Sequence, residues 1–551
     1  MSKVNRILSI LLSVLLSLGV FAGCSGDKKA DGAGNSNASS ADANTLNNGD
    51  TGGGAKIANG DVTLKYWLAM NPNITATAKD CSELPMFREM EKQTGVKIEF
   101  IHPSQGTAAQ QLEQFNIMIA SNDLPDMIQW NWNLDFQGGP TKAAQDGIIL
   151  DLTDKIASGA PNLTALFEKY PIIEKQVKSD EGKIYVFPYV KDNDSTLVWA
   201  GPIMRKDWLD DLGLALPETM DDWTNILTAF KNEKGATAPL TFMDSSLDWS
   251  PCFYGAYGIS RTFYVDVDDG KAKYGPYQAA YKDVLTALKK WFDDGLLDPD
   301  FATQNATAQD AKITSGQSGA FVTSVGGGMG RYLTTMETEN PKFDLVGVTP
   351  PVLKKGEQSK YGHRDYQYPG SGSVAITTQC ENVDVAVKWL DYCYSEKGQL
   401  IFNYGVENES YVMADGKPQF TELVTKNPDG LPLVSVLARY SNIPGLGPYM
   451  PIEDAANAMY PYQQQIEAKN AWNKVKSSGA FPPVSLTTEE SQKLGTIMNE
   501  VKTYVDEMYL KFVMGQEPLS NFDQYIQTLK GMDIEEAIQI QQAALDRYNK
   551  R

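Results

Sequence analysis

The segment Ile119-Ala-Ser-Asn-Asp-Leu-Pro-Asp-Met-Ile-Gln-Trp130 decides how the chain begins to fold. Its first residues end a helix predicted over Thr107 to Ser121, because the apolar residues of that stretch recur at helical spacing. Asn122-Asp123 stops this helix, and Asp126 to Trp130 is predicted as a short strand. A helix that feeds directly into a strand is typical of an α/β domain.

The flanking sequence extends this pattern in both directions. Val62 to Leu68 and Val96 to Phe100 alternate apolar and polar residues, which predicts two strands with a helix over Glu83 to Thr94 between them. Further helices are predicted at Thr219, where Asp222 completes a capping-box-like start, and over the apolar repeats beginning at Tyr281 and Val383. Helices that alternate with short strands favour parallel sheets. The last stretch, from Glu489 to Asn549, is predicted to be nearly all helical.

Composition narrows the classes of function. The chain has 551 residues, a formal net charge of -20, 42% hydrophobic and 21% charged residues, the balance of a soluble globular protein. An acidic surplus disfavours nucleic acid and acidic lipid surfaces as partners, because both require Lys and Arg. His102 and His363 are the two histidines, so a mechanism with a histidine base has few candidates.

The N-terminal residues have the features of a bacterial export signal. Lys3 and Arg6 precede an apolar run from Ile7 to Val20, which is shorter than the ~20 residues that span a bilayer. Phe21-Ala-Gly-Cys24 resembles a lipobox, so residues 1–23 are predicted to be a lipoprotein signal peptide and Cys24 to be lipidated; ordinary secretion is the alternative. Residues 24–61 are rich in Gly, Asn, Ser, Ala and Asp, which predicts a disordered tether.

The segment quoted first resembles a motif of the extracellular solute-binding proteins, family 1, of ABC importers, in particular the large LplA-type lipoproteins. Other segments match the same subgroup in the same order along the chain. They are Gly147 to Thr153, Glu181 to Tyr189, Ile203 to Leu214, Asp294 to Asp300, Asn403 to Glu407 with Tyr411, and Gly515 to Leu519 through Tyr525.

The resemblance implies a two-lobed periplasmic-binding-protein-like α/β fold of type II, with hinge-closing lobes, a cleft between them and a helical C-terminal part. The N-terminal lobe would comprise 62–196 plus 366–410, and the C-terminal lobe 197–365 plus 411–551. The crossings would fall near Thr196 to Gly201, near Tyr366 to Gly372 and near Tyr411.

The family resemblance also implies that the protein binds and delivers a ligand and does not catalyse a reaction. A carbohydrate, in this subgroup an oligosaccharide from plant polysaccharides, some of them uronic-acid-containing, would bind in the cleft and pass to the permease of an ATP-driven importer. The protein would be a monomer on the outer face of the cell membrane. No catalytic residue, cofactor or metal is expected.

Sugar recognition needs flat apolar faces and planar polar groups, so tryptophans near strand ends are the first candidates. Trp208, Trp223, Trp291 and Trp389 lie in helical patterns and are predicted to pack in cores. The predicted ligand contacts are Trp67, Trp130, Asn131, Trp132, Asn133, Trp199 and Trp249; core or rim packing is the alternative for the tryptophans. The run from Gln129 to Asn133 alternates aromatic and amide groups just beyond a strand, where open α/β sheets bind ligands.

A second set of candidates could complete the cleft. Arg205 could hold a uronate carboxylate with two hydrogen bonds, or it could form a structural pair with Asp207 or Asp210. Tyr254, Tyr257 and Asp248 could form a second wall.

Several other motifs are weak. Gly326 to Gly330 lacks the lysine of a phosphate loop and favours a flexible loop at the cleft mouth. Gly370-Ser-Gly-Ser-Val-Ala375 precedes a predicted strand, whereas a dinucleotide fingerprint opens a helix. Asp266 to Gly270 resembles part of a calcium loop but favours a hairpin turn. Cys81, Cys252, Cys380 and Cys393 show no metal-ligand spacing and are predicted to be separate buried thiols.

Two other classes of function remain open. A secreted glycosidase would also use tryptophan platforms, with two of the 69 carboxylates as acid and base. A lipid-anchored adhesin or peptide receptor would keep the fold and change the ligand.

Overall fold

The computed structural model describes residues 56–551 except 76, 432 and 444. The predicted signal peptide, Cys24 and residues 24–55 of the predicted tether lie outside the described residues. The strands are β1 (Val62–Trp67), β2 (Val96–Ile101), β3 (Met127–Trp130), β4 (Ala200–Arg205), β5 (Leu240–Thr241), β6 (Phe263–Val265), β7 (Ala272–Tyr274), β8 (Ala320–Ser324), β9 (Leu345–Gly347), β10 (Ser373–Ile376), β11 (Tyr411–Ala414) and β12 (Lys417–Phe420).

Two four-stranded sheets define two lobes. The first lobe contains the sheet β10-β3-β1-β2, in which β1 is parallel to β2 and β3 whereas β10 is antiparallel to β3. The second lobe contains the sheet β5-β8-β4-β9, in which β4 is antiparallel to both neighbours and β5 is parallel to β8. The expectation of parallel sheets is therefore only partly correct. β10 enters its sheet from the other lobe, so no helical crossover within one sheet fixes its direction.

The helices around the first sheet bury one apolar face each against a common core. Their bounds are Pro85–Thr94, Ala108–Ser121, Gly139–Gln145, Thr153–Gly159, Pro161–Lys169, Pro171–Val177, Val383–Tyr392, Glu396–Tyr404 and Leu433–Tyr440. The helix Ala108–Ser121 ends just before Asn122, as predicted. Asn122 has φ of 53°, which lies in the left-handed region where Asn is tolerated.

The second lobe has two apolar cores beside its sheet. Its longer helices are Lys206–Leu212, Met220–Lys234, Tyr281–Asp293, Ala306–Thr314, Arg331–Glu339, Gln463–Trp472, Thr488–Val513, Phe522–Gly531 and Ile534–Asn549. The predicted capping box is confirmed, because the Thr219 side chain accepts from the Asp222 backbone N–H and the Asp222 carboxylate accepts from the Thr219 N–H. The predicted helical C-terminal part is also confirmed.

The described residues also form single α-helical turns at Pro72–Thr75, Asp194–Leu197, Ser246–Trp249, Cys252–Gly255, Glu422–Thr425 and Glu453–Asn457, and 3-10 turns at Cys81–Glu83, Gly275–Tyr277 and Leu519–Asn521. None of the helices in the described part of the chain combines the length and the apolar character needed to cross a bilayer.

Three chain segments cross between the lobes and are hydrogen-bonded to one another. The backbone N–H of Val190 donates to the carbonyl of Tyr449 at 3.2 Å, and that of Lys191 donates to the carbonyl of Gln367 at 2.8 Å. The N–H of Asp365 donates to the carbonyl of Leu197 at 2.9 Å. The crossings therefore lie side by side, the arrangement expected of a hinge between two lobes.

The core contacts differ from the predicted boundaries at two points. Ala438 and Tyr449 pack into the first core, although residues 411–551 were expected in the second lobe, so the third crossing comes later than Tyr411. At the N-terminal end, Ala58 and Gly60 donate backbone hydrogen bonds to the carbonyls of Thr94 and Gly95. The last residues of the predicted tether are therefore attached to the first lobe. The remaining lobe boundaries stay a prediction.

Three weak motifs receive a structural explanation. Asp266 to Gly270 lies in the turn between the antiparallel strands β6 and β7, as predicted. Val325–Gly330 forms a π-helical turn rather than the expected flexible loop. A Cβ atom at Gly328 would lie 2.2 Å from the Thr323 hydroxyl oxygen, so this turn packs too closely for a side chain there. The four cysteines are free and buried, as predicted.

Candidate functional site

The candidate site consists of two cavities that meet at one residue. The larger has a volume of about 870 Å³ and lies between the segment after β3, the crossing segment Arg364 to Pro369 and the segment Ala480 to Leu486. The smaller has a volume of about 480 Å³ and lies in the first lobe, beyond the carboxyl ends of β1 and β3. Asp135 lines both, so one extended ligand can occupy both sides of this residue.

The chain beyond β3 turns sharply and thereby divides its side chains between core and cavity. The N–H groups of Leu134 and Asp135 both donate to the carbonyl of Asn131, at 3.3 and 2.9 Å. This turn directs the Trp132 ring inward, where it is fully buried. Trp130 and Asn131 line the smaller cavity, and Asn133 lines the larger one.

Some polar groups at the cavities are already paired and others are not. Asn133 Nδ2 donates to the Tyr368 hydroxyl oxygen at 3.4 Å, and Gln129 Nε2 donates to the carbonyl of Leu446 at 3.3 Å. By contrast, Trp130 Nε1 and Asn131 Oδ1 have no hydrogen-bond partner within the described residues. Both atoms are buried, and a buried polar atom without a partner is costly.

Two glycines allow the loop before β10 to approach this wall. Gly370 has φ of 81° and Gly372 has φ of 73°, in the left-handed region that favours glycine. A Cβ atom at Gly370 would lie 3.0 Å from Asn133 Nδ2 and 3.2 Å from Asn131 Oδ1. The Gly370 to Ala375 motif thus serves close packing at the site and, as predicted, precedes a strand rather than opening a helix.

Asp135 is the charged group that lines the smaller cavity. Its carboxylate has no hydrogen bond or ion pair with any described residue, and burial raises its pKa above the ordinary value. Among the residues that the structure describes, Arg364 is the one cation that lines either cavity. Its guanidinium already donates to Asn473 Oδ1 at 2.9 Å and to the Asp194 carboxylate.

Four sequence-predicted site residues are buried away from the cavities, and for them the structure corrects the expected ligand contact. Trp67 packs against Trp130 with ring centroids 5.1 Å apart, and Trp132 and Tyr254 are 0% exposed. Arg205 is paired with Asp207 through two hydrogen bonds. The Arg205 guanidinium also lies over the rings of Trp208 and Phe343, so the structural alternative holds and the uronate clamp does not.

The other predicted residues of the second lobe line neither cavity. Trp199 and Trp249 are partly buried, with ring centroids 5.3 Å apart. Asp248 is 3.5 Å from Arg261, and Tyr257 packs at the edge of the second core. Ligand contact by these four residues stays a prediction, as it does for Trp130, Asn131 and Asn133. The tryptophans predicted for cores are buried, and so is Trp472.

A polar cluster joins Trp199 to the crossing segments. The Asp365 carboxylate accepts hydrogen bonds from Lys191 Nζ at 2.6 Å and from Trp199 Nε1 at 3.0 Å. Burial alone would raise the pKa of Asp365, but Lys191, His363 and these hydrogen bonds lower it below its ordinary range. His363 Nδ1 donates to the carbonyl of Trp249 at 2.7 Å. The cluster therefore connects both lobes at the hinge.

His363 in this cluster gives a pH prediction. Burial lowers its pKa below the ordinary value and outweighs the attraction of Asp365 and the hydrogen bond to Trp249, while Lys191 also lowers it. The unfolded chain therefore binds a proton first as the pH falls below about 6.5, and folding stability drops by up to about 1.4 kcal/mol per pH unit. We expect the stability advantage of the wild type over His363→Gln to shrink between about pH 7.5 and about pH 5.5, as measured by urea unfolding. A pH-independent difference would contradict the prediction.

Sequence reasoning missed several residues that line the cavities. Asp135 follows the quoted aromatic and amide run by two positions, and its location in a strand-end loop was the available signal. Phe263 and Phe481 both line the larger cavity and pack edge-to-face with centroids 6.4 Å apart. Nothing in their local sequence distinguishes them from core aromatics.

Within the described residues, no group of three or more His, Cys, Asp or Glu side chains could hold a metal ion.

Comparison with known proteins gives a consistent picture. The family model described as "Bacterial extracellular solute-binding protein" matches residues 78–400. The fructooligosaccharide ABC transporter substrate-binding protein FusA of Streptococcus pneumoniae is 24% identical over 530 residues, which cover 88% of this chain and 90% of FusA. Lipoprotein LipO of Bacillus subtilis is 25% identical over 471 residues, which cover 81% of this chain and 86% of LipO.

A solved structure supports the same fold. The crystal structure of the alginate-binding protein AlgQ2 without calcium ion superimposes with a TM-score of 0.70 and 25% sequence identity. The match covers 89% of this chain and 99% of AlgQ2. The two-lobed fold predicted from the sequence is thereby confirmed.

Proposed function

Since the chain belongs to the bacterial extracellular solute-binding proteins, we propose that it captures an oligosaccharide between its lobes and delivers it to the permease of an ABC importer. The observation that carries the proposal is the pair of cavities that meet at Asp135 and together extend from the first lobe to the crossing segments. Their volumes suit a ligand of several sugar rings rather than an ion.

The chemistry of the walls supports a sugar. Trp130 offers an aromatic ring to the smaller cavity, and Phe136, Tyr366 and Phe481 offer rings to the larger one. Asn131 adds an amide side chain to the residues that line the smaller cavity. Pyranose and furanose rings present apolar faces for stacking and hydroxyls for hydrogen bonding, so this mixture of groups matches them. The oligosaccharide-binding relative FusA supports the same assignment.

The route of delivery follows from the hinge and the family. A ligand that contacts both lobes shifts the equilibrium toward the closed form, and the permease recognises that form. In this proposal the protein is extracytoplasmic and is anchored through lipidated Cys24. The sequence around Cys24 and the lipoprotein relative LipO support this location.

Trp130→Ala tests the site. Truncation of an aromatic residue at a binding hot spot removes about 2 kcal/mol or more, so we expect at least a tenfold weaker affinity for the preferred oligosaccharide. Isothermal titration of residues 56–551 measures it, after a screen of oligosaccharides identifies that ligand. Tyr277→Ala is the control, because Tyr277 is also a partly buried aromatic residue but lines neither cavity, and this variant should retain most of the affinity.

Mass analysis of the bound sugar separates this function from its rivals. An oligosaccharide recovered uncut supports a binding protein. Recovery of shortened sugar would indicate a glycosidase, and binding of peptides alone would remove the carbohydrate assignment. Unchanged affinity in Trp130→Ala would exclude the smaller cavity as the site.

A further inference from the structure

We propose that the site selects neutral oligosaccharides and rejects uronic-acid-containing ones, with Asp135 as the residue that sets this preference. The inference rests on the proposed function and narrows its ligand class. The related proteins do not decide the matter, because FusA is named for a neutral sugar and AlgQ2 for alginate, a polymer of uronic acids.

The first reason is the charge balance of the cavity walls. Within the described part of the chain, the charged residues that line them are Asp135, Asp365 and Arg364. Asp365 is paired with Lys191, and Arg364 is occupied by Asp194 and Asn473. A uronate would thus meet an unpaired negative charge and no free cation. A desolvated carboxylate without a cation is strongly disfavoured.

The second reason is the hydrogen-bonding character of the Asp135 carboxylate, which lines both cavities and has no hydrogen-bond donor among the described residues. A sugar hydroxyl can donate a hydrogen bond to this carboxylate. A uronate carboxylate only accepts, so it would leave the Asp135 carboxylate unsatisfied.

The third reason is the loss of the cation expected from sequence. Arg205 was the candidate for holding a uronate, but it is 4% exposed and bonded to Asp207. Among the described residues, Arg364 is the one Lys or Arg that lines either cavity, and it is already occupied by Asp194 and Asn473. No free cation therefore neutralises the partly buried Asp135 carboxylate. Hydrogen bonds that sugar hydroxyls donate to this carboxylate would be charge-assisted.

Asp135→Asn tests the proposal directly, because it removes the charge and keeps the size. The probes are neutral fructo-, xylo-, galacto- and malto-oligosaccharides and, against them, oligogalacturonates and oligoalginates. We expect the wild type to bind a neutral probe and no uronate. We expect Asp135→Asn to lower the affinity for the neutral ligand about tenfold. We also expect the ratio of the affinity for neutral oligosaccharides to the affinity for uronates to be smaller in this variant than in the wild type. Asp123→Asn is the control, because Asp123 is exposed on the same lobe and changes the net charge equally.

The possible outcomes separate this proposal from the proposed function. Preference of the wild type for a uronate would overturn the inference and leave oligosaccharide capture standing. Equal effects of Asp135→Asn and Asp123→Asn on neutral-sugar affinity would also overturn it, since a specific contact would then be absent. If neither class of sugar bound, the proposed function itself would fail.

Discussion

Replacing Trp132 by alanine is expected to lower the free energy of unfolding by about 3–5 kcal/mol, the range for truncating a buried tryptophan. Trp132 is fully buried and packs edge-to-face against Phe115, with centroids 5.6 Å apart. Its Nε1 donates to the carbonyl of Ile128 at 3.4 Å. The variant would leave a cavity under the loop that carries Asn131 and Asn133. Urea unfolding of the wild type and the variant measures the loss.

Trp132→Phe is the matched control, because it keeps an aromatic ring against Phe115 and should cost much less. Comparison with Trp130→Ala separates effects on stability from effects on ligand affinity, since Trp130 lines the smaller cavity whereas Trp132 does not. We therefore expect Trp132→Ala to reduce mainly stability and Trp130→Ala to reduce affinity. Similar stability of Trp132→Ala and the wild type would contradict the burial seen in the structure.

The two tryptophans also show how far sequence reasoning reached at the site. The alternating run from Gln129 to Asn133 correctly placed aromatic and amide groups just beyond a strand. It could not separate Trp130 from Trp132, because β3 ends at Trp130 and the strand period no longer applies in the turn that follows. The turn geometry depends on hydrogen bonds to the carbonyl of Asn131, which no periodicity reveals.

Local patterns predicted the elements better than their arrangement. The helices at Thr107, Thr219, Tyr281 and Val383 were predicted from apolar spacing and caps, which are local properties. The antiparallel direction of β10 and the late third crossing depend on contacts between distant parts of the chain. The same limit applies to Arg205, where the sequence left a ligand clamp and a structural pair open, and the nearby rings of Trp208 and Phe343 decide for the pair.

The buried and partly buried charged groups differ in how they are paired. Arg205 forms an ion pair with Asp207, and Asp365 forms one with Lys191. The Asp135 carboxylate has no hydrogen bond or ion pair with any described residue, and burial raises its pKa. A partly buried carboxylate without a partner is unfavourable in the free protein, so a ligand that donates hydrogen bonds to Asp135 would relieve part of this cost.

The buried pair of Asp298 and Lys312 gives the second large prediction, because it stabilises the second lobe without touching the cavities. Asp298 is 0% exposed and accepts hydrogen bonds from Lys312 Nζ at 2.6 and 2.8 Å and from the Thr241 hydroxyl at 2.6 Å. Lys312→Met would leave the Asp298 charge buried without its cation. We expect a loss of about 3–5 kcal/mol in the free energy of unfolding, the range for breaking one partner of a buried pair.

Two further variants make this prediction specific. Lys290→Met removes a lysine from the exposed pair with Asp294, whose side chains are 64% and 45% exposed, and should cost no more than about 1 kcal/mol. The double variant Asp298→Asn with Lys312→Met should recover part of the loss, because no unpaired charge then remains. Urea unfolding followed by circular dichroism measures all three. Equal losses in Lys312→Met and Lys290→Met would contradict the prediction. If it holds, the segment Asp294 to Asp300, which carried part of the family resemblance, contributes to the stability of the second lobe through Asp298.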